Sequence, residues 1–193
     1  MKLRDVIDLG DDGAGRELVR EMLRLIGDDP AREGLIDTPD RVVRSWRELF
    51  AGYHEDPKRH LAKTFATTST QMVCVNGIDL VSTCEHHMLP FQGTCDIAYL
   101  PRTRVVGLSK FARLVDGYGR RLQIQERLTD QIADAIAECV DTLGVAVRIR
   151  ARHSCMCLRG ARNQGASMTT TALRGVFGED PTVRSEWIST LPP

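Results

Sequence analysis

The sequence predicts an α+β fold, with a helical N-terminal segment over residues 1–65 and a larger sheet-and-helix unit over 66–193. Three observations predict it. Apolar residues recur at helical spacing up to about residue 50, the period drops to two after residue 71, and the remaining chain then alternates between the two regimes. At 193 residues the chain is long enough to bury a proper core without disulfide staples.

The first helix is predicted over 14–27, where Leu18, Met22, Leu25 and Ile26 form a stripe with charges between them. A second begins at Thr38, a suitable N-cap followed by Pro39, and its stripe is Val42, Val43, Trp46, Leu49 and Phe50. Gly52 and Pro57 break that pattern. Met72 to Val75 and Ile78 to Val81 then read as two strands joined by a tight turn, because Asn76-Gly77 tolerates the positive φ angles of a two-residue hairpin. Gly93 to Leu100 alternates as another strand. Ser109 is the expected N-cap of a short helix carrying Phe111, Ala112, Leu114 and Val115. A longer helix runs from about 125 to 143, with Leu128, Ile132, Ile136, Cys139, Val140 and Leu143 along one side. Val145, Val147, Ile149, Ala151, His153 and Cys155 alternate with mainly cationic residues, so His153 and Cys155 are expected to point inward from one strand face. A Thr-rich strand over about 167–177 leads to Gly178 and a polar tail.

The start of the chain has no uninterrupted apolar run of the secretory type, and no stretch approaches the roughly 18 apolar residues of a membrane span. A soluble cytoplasmic protein is expected, with no membrane partner. Zero net charge excludes a global attraction to nucleic acid. Six cysteines in such a chain point to metal binding and reduced thiols rather than disulfides, with Cys74, Cys95 and Cys139 as core residues. Arg102, Arg104, Lys110, Arg113, Arg120, Arg121 and Arg127 are opposed over that stretch only by Asp116 and Glu126. The stretch is either a solvated face or a pocket for a polyanion such as a triphosphate.

Cys84, His87 and the distant Cys155 carry the chemistry. They offer the thiolates and imidazole that Zn²⁺ prefers, and three protein ligands with a free fourth position suit a catalytic rather than a structural site. Cys84 stands in Ser-Thr-Cys-Glu-His-His (82–87) and Cys155 in His-Ser-Cys-Met-Cys-Leu-Arg-Gly (153–160), so spare histidines and an arginine gather at both halves. Hydrolysis is the reaction to expect. Cys157 stands close enough in sequence for an exchange of ligand to be conceivable.

Those two blocks, with Thr-Pro-Asp-Arg (38–41), Gly-Leu-Ser-Lys-Phe-Ala-Arg (107–113) and Arg-Arg-Leu-Gln-Ile-Gln-Glu-Arg-Leu-Thr (120–129), resemble GTP cyclohydrolase I over most of the chain. The resemblance implies the tunnelling fold, an antiparallel sheet backed by two helices that assembles into an oligomeric barrel. A homo-oligomer, a decamer of two pentamers, comes from the resemblance alone. It implies one Zn²⁺ per chain on Cys84, His87 and Cys155, and GTP as the substrate, opened at guanine C8 with loss of formate and rebuilt as 7,8-dihydroneopterin triphosphate.

Carried over residue by residue, His153 is placed to protonate N7 and His86 to handle protons near the ribose ring oxygen. Glu126, with Gln125 beside it, resembles the guanine-reading carboxylate, although an acidic residue opening a helix is also favoured by the helix dipole. Arg41, Lys110, Arg113 and Arg159 are implied for the triphosphate, and Ser109 for the rearrangement of the opened ribose. The remaining arginines of the basic stretch are read as surface or subunit-contact residues. Two rivals remain: the same fold stopping at the formamidopyrimidine intermediate, and a non-catalytic protein whose zinc takes Cys157 or His86 as a fourth ligand.

Overall fold

The computed structural model describes residues 12–192; the stretch read for a leader and the first eleven residues of the predicted N-terminal segment lie outside the described residues. Seven helices and seven strands alternate among the described residues, and the observed class is α+β. Helices α1 (Asp12–Ile26) and α2 (Thr38–Leu49) pack on each other through Val19, Leu23 and Val43, with Leu35, Val42 and Trp46 at the margin. This corrects the predicted α1 stripe. Leu18, Met22, Leu25 and Ile26 point outward, Leu25 being 87% exposed, while Val19 at 1% faces α2. Two apolar faces of one helix give the same period, and only the partner decides which is buried. The α2 N-cap is Asp37, one residue before the expected Thr38, with Pro39 in the first turn.

Short 3₁₀ turns at Ala51–His54 and Pro57–Ala62 bring the chain onto the main body. Gly52 is required there: a Cβ would stand 2.2 Å from the Gly117 carbonyl oxygen and 2.7 Å from that of Arg120. Strand β1 (Thr64–Ala66) pairs antiparallel with β4 (Arg104–Val106).

The main sheet is built from β2 (Val73–Cys84), β3 (Pro90–Pro101), β5 (Leu122–Gln123), β6 (Thr142–His153) and β7 (Met168–Gly175), in the order β5-β2-β3-β6-β7. All its pairs are antiparallel except β2 with β5. The hairpin expected at Asn76-Gly77 is absent. Both halves belong to β2, and the dipeptide is a bulge against β3: Val75 pairs with Ile97 and Ile78 with Cys95, so β2 carries one extra residue. Gly77 takes the positive φ of 72° that the bulge needs. Its N–H donates to the fully buried Asp96, which also accepts from Arg148 Nε and Nη2 at 3.0 and 2.8 Å.

Helices α3 (Leu108–Gly119) and α4 (Gln125–Cys139) cover one face of the sheet and supply Phe111, Leu114, Leu128, Ile132 and Ile136 to the core. Burying each such side chain is worth roughly 1.5–3 kcal/mol. Gly107, not Ser109, is the N-cap of α3. Helix α4 stops at Cys139, which is exposed together with Leu143, so these two leave the predicted stripe. Cys95 is buried as expected and Cys74 is half-buried. The predicted polar tail is helical. Asp180 caps α7 (Pro181–Thr190) by accepting from the Thr182 N–H at 2.7 Å, after the short α6 (Val176–Glu179). Trp187 and Phe177 meet edge-on over Ala98 and Ala146, closing the other face of the sheet at one end.

Candidate metal centre

Strand β2 ends on Cys84 and β3 starts at Pro90, so the motif residues occupy the tight connection between them. The Cys84 N–H donates to the Leu89 carbonyl at 2.9 Å, and the Met88 N–H returns to the Cys84 carbonyl at 2.8 Å. Met88 adopts a φ of 52°, a left-handed conformation costing a non-glycine residue about 1–2 kcal/mol. The flanking strand pairing holds it there. The turn brings His87 back over Cys84, with Nδ1 3.8 Å from Sγ.

The third group arrives from β6. His153 pairs with Phe91 at the start of β3, and the chain then coils into the single-turn α5 (Ser154–Cys157). Cys155 therefore sits on a helical turn, not on the predicted strand face. The ligand atoms of Cys84, His87 and Cys155 all lie within 4.8 Å of one another. A tetrahedral Zn²⁺ with ordinary bond lengths separates its sulfur and nitrogen ligands by about 3.6 Å, close to the distance here. The donor set fits the ion in type as well as spacing. Burial, and then the neighbouring Cys84 thiol, push the Cys155 thiol above its ordinary range. A divalent cation supplies the positive charge that two crowded thiolates lack. Cys157 is not part of the group; it is buried beside a separate cleft with Gln92, Arg152 and Gln164.

Beside the cluster, the His153 ring stacks on Phe91 at 4.5 Å with an interplanar angle of 6°. Its Nε2 lies 2.9 Å from Gln125 Oε1. Gln125 is only 1% exposed, and its Nε2 lies 3.1 Å from the carbonyl oxygens of Ile149 and Met168 and 3.0 Å from Thr170 Oγ1. Carbonyls only accept, so the amide nitrogen must face them and Oε1 must face the imidazole. His153 therefore carries its proton on Nε2 and keeps Nδ1 as a lone pair. Burial holds its pKa below the ordinary value, opposed by the nearby Glu126 carboxylate, so the resting ring is neutral near pH 7.

Glu126 is exposed at the start of α4, whereas Gln125 is turned inward behind His153 with its donors committed. His86 is exposed and meets His87 edge-on at 6.3 Å. Ser109 and Arg113 are exposed on the first two turns of α3, with Lys110 half-buried between them.

The basic stretch divides into two sets. Arg102, Arg104, Arg120, Arg121 and Arg127 are all spent on carboxylates, hydroxyls or backbone carbonyls of this chain. The side chains of Lys110 and Arg113 have no ion-pair or hydrogen-bond partner among the described residues. Arg159 is exposed just beyond α5, near enough to Cys155 to favour its thiolate. Arg41 stands apart on α2, salt-bridged to Asp37 at 3.0 Å. Sequence reasoning missed Phe91, the inward role of Gln125, and the engagement of Arg127 with the Glu85 carboxylate. Only the position of Glu85 inside the metal motif hinted at the last.

Comparison with known proteins finds that residues 15–191 match the family model described as GTP cyclohydrolase I. The protein named GTP cyclohydrolase 1 of Desulforamulus reducens is 51% identical over 174 residues, covering 90% of this chain and 93% of its own length. Its namesake in Rhodopirellula baltica is 51% identical over 173 residues, 90% of this chain and 76% of its own. That of Deinococcus radiodurans is 49% identical over 175 residues, 90% and 81% respectively.

Proposed function

The chain belongs to the GTP cyclohydrolase I family, and from that premise we propose that it hydrolyses GTP at guanine C8, releases formate and forms 7,8-dihydroneopterin triphosphate. The observation that supports this most is the meeting of Cys84, His87 and Cys155 from two distant segments as three donors and no fourth among the described residues. Incubation with GTP, with the products identified by absorbance and mass and formate assayed separately, tests it. Accumulation of the formamidopyrimidine would select the truncated reaction instead.

One Zn²⁺ per chain is assigned to those three ligands; when bound, it acidifies water so that a hydroxide nucleophile is available near neutral pH. The other steps belong to side chains. His153 works through Nδ1, because Nε2–H is committed to Gln125: this lone pair takes up a proton and passes it to N7, making C8 more electrophilic. Gln125 is assigned to positioning His153, in place of the direct base contact expected from sequence. Glu126 accepts from N1–H and the 2-amino group of guanine, and its charge favours the transient imidazolium. Lys110, Arg113 and Arg159, cations without a carboxylate partner, bind the triphosphate. Arg41 joins them by exchanging Asp37 for a phosphate. His86 and Ser109 serve the ribose stage.

The same reading assigns the tunnelling fold to residues 66–193, with 1–65 as an appended helical segment, in a cytoplasmic homodecamer of two pentamers. The exposed α1 stripe of Leu18, Met22, Leu25 and Ile26 is apolar surface of the kind subunit contacts cover. Among the described residues no helix is long and apolar enough to cross a membrane. Sedimentation of the purified protein tests the assembly.

A further inference from the structure

We propose that Arg127 and Glu85 form a positioning pair that holds the metal loop to the first turn of α4; this rests on the zinc reading above. Glu85 lies between the ligands Cys84 and His87 in sequence, and Arg127 Nη2 donates to its carboxylate. The same guanidinium donates at 3.1 Å to both the Leu122 carbonyl and Gln123 Oε1. It therefore ties the loop to the two-residue strand β5. Backbone contacts run in parallel: the Glu85 N–H donates to the Gln123 carbonyl at 3.0 Å, and Cys84 pairs with Gln123 in the sheet. Gln123 is itself anchored, its Nε2 donating to Tyr118 O at 3.0 Å and Gln131 Oε1 at 2.9 Å.

The arrangement has a direct consequence for the metal. A turn of five residues with a left-handed Met88 has few ways to keep Cys84 and His87 aligned with Cys155, which comes from the helical turn α5. The planar guanidinium fixes three acceptors at once, which an ammonium cannot do with one geometry. The pair thus preorganises two of the three ligands, and outer groups of this kind typically change metal affinity by about 10–100-fold.

The test uses the full chain stripped of metal and titrated with zinc alone against a chromophoric chelator. Arg127→Met is expected to weaken zinc binding by about 10–100-fold. Arg127→Lys should recover only part of that, and Glu85→Gln combined with Arg127→Met should be no worse than Arg127→Met alone. Excess zinc should restore turnover in Arg127→Met, which a lost ligand such as Cys155→Ala would not permit. Arg174 salt-bridges Asp130 and Asp134 on the same helix, so Arg174→Met serves as a stability control that should lower the melting temperature without changing zinc affinity. Parental zinc affinity in Arg127→Met, or an equal loss in Arg174→Met, would overturn the pair alone. A parent chain with no zinc affinity would overturn the metal reading beneath it.

Discussion

Replacing Gln125 by Leu keeps the volume of the side chain and removes the only partner of His153 Nε2 among the described residues. Two backbone carbonyls, of Ile149 and Met168, lose a donor as well, whereas Thr170 retains Thr129 Oγ1 at 2.6 Å. Both carbonyls belong to residues paired in the sheet, so the loss is that of two net hydrogen bonds at about 0.5–1.5 kcal/mol each, a stability cost of about 1–3 kcal/mol to be measured first by denaturation. Gln125→Glu is the companion variant, because it keeps an acceptor toward the imidazole. In the parent, the Nε2 proton is half-buried and bonded, so its exchange should be slowed enough to be visible by ¹⁵N-edited NMR. It should vanish in Gln125→Leu and persist in Gln125→Glu. Turnover of the folded, zinc-loaded Gln125→Leu protein should fall by about 10²-fold, the usual scale for a misoriented catalytic group. His153→Ala sets the limit at about 10²–10⁴-fold. A folded Gln125→Leu protein with parental turnover would show the amide to be packing only, and an Nδ1–H tautomer in the parent would refute the proton assignment.

Alanine at Cys84, His87 or Cys155 should abolish zinc retention and turnover, while Cys157→Ala keeps both; full zinc by elemental analysis in Cys155→Ala would move the ligand. Glu126→Gln sets a donor against a guanine donor, so GTP turnover should fall by several powers of ten at constant zinc content, with unchanged GTP-over-ATP preference refuting the base contact. Lys110→Ala and Arg113→Ala should each weaken GTP binding by about tenfold to a hundredfold, from roughly 1.5–3 kcal/mol per charge-assisted contact, measured by titration calorimetry. Gly52→Ala drives a methyl into two backbone carbonyls and should cost about 1–3 kcal/mol in thermal unfolding; an unchanged melting point would mean that the 3₁₀ turn yields freely.

The meeting of Cys84, His87 and Cys155 was legible because coordination chemistry restricts which residue types can serve, and the three stand in short, unusual blocks. The main helices and strands were legible because their periods are long. What failed was decided by distant partners. Asn76-Gly77 supplies a positive φ equally to a hairpin and to a bulge, and only the continuous pairing with β3 selects the bulge. Val19 and Leu23 were overlooked beside a richer stripe because the sequence does not say where Val43 will stand. The helix α7 was hidden by a polar surface around one buried tryptophan. Cys139 was placed in the core by spacing, yet α4 ends there and the residue faces solvent.

The first turn of α4 shows why neighbouring site residues resisted assignment by sequence block alone. Successive residues of an α-helix project about 100° apart, so Gln125, Glu126 and Arg127 cannot share a face. Gln125 turns into the sheet and meets His153, Glu126 turns outward, and Arg127 reaches sideways to the metal loop. Sequence adjacency alone therefore does not give Gln125 and Glu126 the same direction. On the proposed reading so short a segment serves three tasks: one residue orients the proton carrier, the next presents charge to the substrate, and the third steadies the metal ligands. A one-residue insertion between Arg127 and Leu128 would rotate all three side chains by about 100° relative to the core-facing Leu128 and Ile132 and should remove zinc affinity and turnover together, whereas an insertion after Cys139 at the far end of α4 should affect stability first.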